Sequence, residues 1–96
     1  MQSQSQVLAS LQLALPLLQK KYPISRLALF GSYARNEQQA NSDIDIMVEF
    51  SKPVGMEFID LSFELEKMLG TKVDLVSRKA IKPKYFEALK KDLQYV

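Results

Sequence analysis

Strand-like and helix-like patterns alternate along the 96 residues of this chain, and that alternation limits its fold more than any other feature. Three segments have the pattern of strands, and the last two residues could add a fourth: Ile24–Phe30, Asp43–Phe50, Lys72–Val76 and Tyr95–Val96. Helices between strands are typical of an α/β (α+β) fold. We therefore expect a small mixed sheet of three to four strands flanked by helices.

Apolar residues recur with helical spacing in the segments that separate the strands. We expect helices over residues 7–21, 56–69 and 83–93, and a short helix within 32–39. Pro16 lies inside the first of these and removes a helical hydrogen bond, so that helix should be kinked or shorter than its pattern. The polar residues 1–6 are expected to fray.

The length of the chain predicts one domain, residues 1–96. A chain of this size can bury about 65% of its unfolded surface, which is enough for one core without disulfides or structural metals. It leaves no residues for a second lobe. A large substrate would therefore be held partly by another chain.

Cysteine and histidine are both absent from the sequence. Their absence excludes disulfides, thiolate metal sites, cysteine nucleophiles and histidine-based triads. Any metal should be hard and bound by oxygen, such as magnesium or manganese. No apolar run reaches the length of a membrane span, and no signal pattern opens the chain, so we expect a cytoplasmic protein without a membrane partner. A net charge of +2 is too small to predict direct nucleic-acid binding.

Two carboxylates open the second strand-like segment. Alternate residues of a strand share a face, so Asp43 and Asp45 should lie side by side while Ile44, Ile46 and Val48 turn towards the core. Such a pair suits two divalent cations about 3.5–4 Å apart, the arrangement that clamps a phosphoryl or nucleotidyl transfer. Like charges this close repel, so the site is costly without cations or protons.

The residues that follow the first strand favour phosphate binding. Gly31 lets the backbone approach an oxyanion closely, and Ser32 offers a hydroxyl and an amide at a helix start. Arg35 could add a charge-assisted phosphate contact one turn later. A nucleoside triphosphate with its metal would fit this turn and the carboxylates together.

A third carboxylate, Asp74, lies in the third strand-like segment, where aspartate is normally disfavoured. Val73 and Leu75 should take the core side, so Asp74 should face the same way as Asp43 and Asp45. If the two strands are neighbours, Asp74 could complete one metal's ligand shell and help deprotonate an incoming hydroxyl.

Ten residues separate Gly31-Ser32 from Asp43-x-Asp45. This motif resembles the signature of the minimal nucleotidyltransferases, which are one-domain members of the DNA polymerase β-like superfamily. The match is close to the MntA-type antitoxins of HEPN/MNT toxin–antitoxin pairs. The resemblance implies ATP as donor, two magnesium ions, and transfer of AMP to a tyrosine of a partner HEPN ribonuclease toxin in a type VII-like pair. By that resemblance Gly31 and Ser32 hold the triphosphate, Asp43 and Asp45 hold metals, and Asp74 is the third acidic position. The family commonly has glycine where this chain has Asn36, which tolerates positive φ.

Simpler interpretations compete with each of these assignments. Asp43 and Asp45 could be solvated acids at a strand start, Ser32 a helix N-cap, and Arg35 a surface residue paired with Glu37. Two other functions also stay open. The chain could neutralise a partner by covering it, without catalysis, or it could modify a small hydroxylated molecule, although such enzymes need an added domain to hold the acceptor.

Overall fold

The computed structural model describes residues 2–96 and contains four helices and four strands within that range. In chain order the elements are α1 (Gln4–Lys21), β1 (Ile24–Phe30), α2 (Gly31–Ala34), β2 (Ile44–Phe50), α3 (Glu57–Leu69), β3 (Val73–Ser77), α4 (Pro83–Leu89) and β4 (Gln94–Tyr95). Short 3₁₀ turns at residues 78–80 and 90–92 flank α4.

The strands form one sheet in the order β3-β2-β1-β4. β2 pairs with β1 in antiparallel fashion and with β3 in parallel fashion, and β4 pairs antiparallel with β1. The sheet is therefore mixed and four-stranded, and helices flank it, which confirms the predicted α+β fold.

Helix α1 begins earlier than predicted and continues through its proline. Ser3 and Gln6 form a reciprocal capping box, in which each side chain accepts a hydrogen bond from the backbone N–H of the other residue. The expectation that residues 1–6 fray is therefore wrong for residues 3–6, while residue 1 lies outside the described range. Pro16 sits inside the helix without ending it, and α1 continues to Lys21.

The other elements differ from prediction mainly at their ends. The helix expected within residues 32–39 is only one turn, and the helix expected to reach residue 93 stops at Leu89 because a 3₁₀ turn replaces its last part. β2 begins at Ile44, one residue later than predicted. α3 ends at Leu69 and is capped by Gly70, whose φ of 70° is a left-handed conformation that glycine adopts without strain.

The main core lies between one face of the sheet and the helices α1 and α3. It collects every second residue of the three long strands and the inward stripes of the two helices: Leu27, Leu29, Ile44, Ile46, Val48, Val73, Leu75, Val7, Leu11, Leu18, Leu61, Leu65 and Leu69. Burial of a leucine or isoleucine contributes about 1.5–3 kcal/mol. Because alternate strand residues face opposite ways, the remaining residues of each strand lie on the other face of the sheet.

No helix among residues 2–96 is long and apolar enough to cross a membrane.

Candidate active site

The Gly31-Ser32 turn follows directly where β1 ends. Gly31 has a φ of 73°, in the left-handed region, and begins the one-turn helix α2 after the extended residue Phe30. A Cβ atom at Gly31 would lie 2.0 Å from Oδ2 of Asp45. Glycine adopts this positive φ without strain, and it lacks the Cβ atom that would clash with Asp45. The turn can therefore pack against Asp45 because residue 31 is glycine.

Ser32 is the second residue of α2 and is not its N-cap, which is Phe30. The interpretation of Ser32 as an N-cap is therefore wrong. Its backbone lies in the first turn of the helix, where N–H groups lack helical partners and can face an anion. The side chain is half-buried beside the sheet.

Asn36 closes the α2 turn with positive φ. Its φ is 58°, and its N–H donates to the carbonyl of Tyr33, while the N–H of Glu37 donates to the carbonyl of Ser32. These two bonds define the left-handed C-terminal cap in which glycine is usual and asparagine is tolerated. Asparagine at this position thus forms a turn in which glycine is the usual residue.

Asp45 and Asp74 occupy paired positions on β2 and β3. The parallel register sets Asp45 opposite Asp74, and the antiparallel register sets Phe30 opposite Asp45 on the other side. Asp74 therefore shares a face with Asp45, on the side of the sheet away from α1 and α3. Asp45 is half-buried and Asp74 is exposed. Asp43 is an exposed residue two positions before Asp45, just outside the strand.

The pKa of Asp45 is raised from 3.8 to about 6. Burial is the largest cause, and it is followed by repulsion from Asp74, repulsion from Asp43 and a side-chain hydrogen bond with Asp74. The charge of Arg35 acts in the opposite direction. The protein thus holds negative charge here at an energetic cost, which a bound cation would relieve.

Arg35 is engaged by two carboxylates. Its Nε donates to Oε1 of Glu37 at 3.0 Å, and its Nη1 donates to Oδ2 of Asp92 at 3.2 Å. The hydrogen bond that Arg35 donates to Glu37, followed by the one it donates to Asp92, raises the pKa of Arg35. These bonds use two of the five N–H donors of the guanidinium, so the predicted phosphate contact would place the phosphate in competition with two carboxylates for the charge of Arg35.

The side chains that bind the end of the α2 turn come from distant parts of the chain and were not predicted from the sequence. The carbonyl of Ala34, near the end of α2, accepts hydrogen bonds from Nε2 of Gln94 at 3.0 Å and from Nε2 of Gln4 at 2.6 Å. Asp92 lies 57 residues from Arg35, and Gln94 lies 60 residues from Ala34. No local pattern signals such distant contacts.

The donor chemistry of the site fits a hard divalent cation. Carboxylate oxygens are the ligands that magnesium and manganese prefer, and Asp45 and Asp74 present them side by side. Within residues 2–96, however, no group of three or more acidic side chains is gathered closely enough to form a complete metal site. Asp43 would have to move towards the Asp45–Asp74 pair to join one ligand set.

Residues 12–96 match the family model described as nucleotidyltransferase domain. With that span, the chain belongs to the nucleotidyltransferase family and is an enzyme of that class. More narrowly, it is a minimal nucleotidyltransferase that resembles the protein adenylyltransferases, as two relatives show.

One relative is MJ1379 of Methanocaldococcus jannaschii, named as a candidate protein adenylyltransferase, with 49% identity over 84 residues that cover 83% of this chain and 84% of the relative. Another is the protein adenylyltransferase MntA of Thermococcus cleftensis, with 35% identity over 80 residues that cover 82% and 81%.

Solved structures share the fold. One, described as a candidate minimal nucleotidyltransferase, superposes with a TM-score of 0.83 at 28% identity and covers 97% of this chain and 95% of its own. Another, a tri-AMPylated Shewanella oneidensis HEPN toxin in complex with an MNT antitoxin, has a TM-score of 0.69 at 22% identity and covers 93% of this chain and 70% of its own. At that identity the second likeness shows the fold alone.

Proposed function

We propose that this chain is the antitoxin of a toxin–antitoxin pair and transfers AMP from ATP to a tyrosine hydroxyl of a HEPN ribonuclease partner. The relatives named as protein adenylyltransferases support the donor group, and the fold shared with an MNT antitoxin supports the partner. The observation that carries the proposal is the Asp45–Asp74 pair, which lies in register on β2 and β3, with Asp45 packed directly against the Gly31 turn.

The triphosphate would bind at the Gly31-Ser32 turn. A phosphate oxygen can approach this backbone because Gly31 has no Cβ and Ser32 contributes a hydroxyl and an amide in the first turn of α2. We assign Arg35 a supporting role, in which N–H donors that are not bonded to Glu37 or Asp92 contact phosphate.

Asp43, Asp45 and Asp74 would hold divalent cations, with magnesium the first candidate and manganese the second. Bound there, such cations would neutralise phosphate charge and orient the α-phosphate. The raised pKa of Asp45 supports this role, because cations would replace the proton that the repelling carboxylates otherwise favour.

The transfer step forms a bond between the tyrosine oxygen and the α-phosphorus of ATP. The bond from that phosphorus to the oxygen bridging to the β-phosphorus breaks, and pyrophosphate leaves. We assign Asp74 as acceptor of the phenolic proton, because its carboxylate is exposed beside Asp45 and can meet an acceptor that arrives from another chain.

The test combines the chain with its HEPN partner, ATP and magnesium and measures the intact mass of the partner. We expect one or more AMP additions, mapped to tyrosine by peptide sequencing. Asp45→Asn should reduce the rate by at least about 100-fold, since it removes one charge at the reacting centre. Asp60→Asn, which removes an exposed carboxylate on α3, is the matched control and should transfer AMP at the wild-type rate.

Neutralisation by binding alone predicts a different outcome. In that case Asp45→Asn would form the complex and still protect cells from the partner's toxicity. Loss of protection in a variant that still binds its partner supports catalysis, whereas full protection would contradict the proposed function.

A further inference from the structure

Exposed apolar side chains concentrate on the outer surface of α1 and α3, away from the carboxylates. Of the eight large hydrophobic residues exposed among residues 2–96, six lie on these two helices or at the start of α3: Leu13, Leu17, Met56, Ile59, Phe63 and Met68. Leu13 is 80% exposed and Phe63 is 64% exposed. Exposed apolar side chains mark an interaction site when they form a contiguous patch, and Leu17, Phe63 and Met68 line one groove together.

A groove of about 850 Å³ runs between the two helices across this surface. Leu17 and Phe63 line it together with Met68, and Lys20 and Lys67 flank it. The inner faces of α1 and α3 are already buried against the sheet, so the groove lies on the outer face of the helical layer. We call this the α1/α3 face.

The charges of the two helices are complementary. The only charged side chains of α1 are Lys20 and Lys21, at its C-terminal end. The first turn of α3 carries the exposed acids Glu57 and Asp60. These oppositely charged ends lie near the same end of the helical layer, because Lys21 Nζ bonds at 3.0 Å to Oε2 of Glu64, which follows Asp60 by one turn of α3.

We infer that the α1/α3 face binds a second copy of this chain. A twofold axis parallel to the helices places α1 of one copy against α3 of the other. Leu17 then meets the apolar residues around Phe63, and Lys20 lies near Asp60 in each of two equivalent contacts. Both carboxylate sites stay free, because they lie on the opposite face of the sheet.

The size of the face sets the strength of this contact. Helices of 18 and 13 residues are roughly 27 and 20 Å long, and side by side they present on the order of 500 Å² per copy. Specific interfaces bury about 800 Å² per partner. We therefore expect a reversible dimer with a dissociation constant in the micromolar range.

Sedimentation velocity of the purified chain tests this inference between roughly 1 and 500 μM, the range in which a micromolar dimer forms. The sedimentation coefficient should rise with concentration from monomer to dimer. Phe63→Glu should weaken association by about tenfold or more, since it puts a charge at the centre of the contact. Tyr85→Glu is the matched control, because Tyr85 is also 64% exposed but lies on α4, and it should associate like the wild type.

Charge exchange tests the arrangement of the two copies. Lys20→Glu and Asp60→Lys should each weaken self-association, and an equimolar mixture of the two variants should restore it, because each then offers the charge that the other lacks. A wild-type monomer at the highest concentration would overturn the inference and leave the face to a different chain. So would a dimer that survives Phe63→Glu, or one that is lost equally in Tyr85→Glu.

The inference is independent of the proposed function. AMP transfer by Phe63→Glu should match the wild type, because Phe63 lies on the far side of the sheet from Asp45 and Asp74. Loss of the dimer with full transfer activity would separate the two claims.

Discussion

The two faces of strand β2 have opposite energetic roles. Ile44, Ile46 and Val48 are completely buried against α1 and α3 and stabilise the fold. Asp45, between two of them in sequence, faces the other way and is held beside Asp74, where burial and repulsion raise its pKa to about 6. The comparison shows that one strand can supply both the core and a strained acidic site, because side-chain direction alternates at every residue.

The largest expected effect comes from the core face of this strand. Ile46→Ala should lower the free energy of unfolding by about 2–5 kcal/mol, since it removes fully buried methyl groups and leaves a cavity. Urea denaturation followed by circular dichroism measures the change. Ile46→Val should cost only about 0.5–1.5 kcal/mol. Equal, small losses in both variants would show that this face is less tightly packed than the structure indicates.

The second-largest effect is expected where the Gly31 turn contacts Asp45. Gly31→Ala should cost about 1–3 kcal/mol through its positive φ and should also displace Asp45, because the new Cβ would lie 2.0 Å from Asp45 Oδ2. AMP transfer should fall together with stability.

Gly70→Ala is the matched control for that substitution. Gly70 has a φ of 70°, but nothing lies within 4 Å of its Cβ position. Gly70→Ala should therefore lose stability only through its positive φ, and it should transfer AMP at the wild-type rate. If both alanine variants transfer AMP at the same rate, the close approach of Gly31 to Asp45 has no role in the site.

The protein should become more stable when the negative charge of Asp45 is removed. The folded pKa of Asp45 lies above its ordinary value, so the folded state binds a proton more tightly than the unfolded state, and stability falls as pH rises from about 4 to about 6. Asp45→Asn should therefore gain about 1–2 kcal/mol at pH 7, after allowance for solvent screening, and nothing below pH 4. Denaturation curves at several pH values, without divalent cations, measure the difference. If Asp45→Asn is less stable than the wild type at pH 7, the charge of Asp45 does not destabilise the folded state and the account is contradicted.

The smallest effect concerns the cap of the α2 turn. Asn36→Gly should change stability by about 0.5 kcal/mol or less, because both residues adopt a φ near 58°. Asn36→Ala should cost about 1 kcal/mol, since alanine resists positive φ. Thermal unfolding distinguishes the two, and equal stability of the variants would argue against a strained left-handed cap.

The sequence predicted those parts of the molecule that depend on local periodicity. The alternation of apolar residues located β1, β2 and β3 to within one or two residues and oriented Asp45 away from the core. The ends of α1 and α4 were misplaced, because a capping box at Ser3 and a 3₁₀ turn after Leu89 outweigh the hydrophobic pattern.

The surroundings of the site depend on contacts between distant residues. Parallel pairing of β2 with β3 decides that Asp74 meets Asp45, and strand alternation alone could indicate the direction of Asp74 but not its neighbour. The ion pair between Arg35 and Asp92 and the hydrogen bond from Gln94 to Ala34 form because the C-terminal segment returns beside α2. The roles of Asp43, Asp45, Asp74, Ser32 and Arg35 in catalysis stay predictions.

The most direct measurement of the central claim is isothermal titration calorimetry of the chain with ATP, in the presence and absence of magnesium and repeated with its HEPN partner. We predict magnesium-dependent ATP binding by the wild type and by Asp60→Asn, and a loss of at least about tenfold in affinity for Asp45→Asn. ATP binding that is equal in Asp45→Asn and wild type, or no magnesium-dependent binding with or without the partner, would contradict the account.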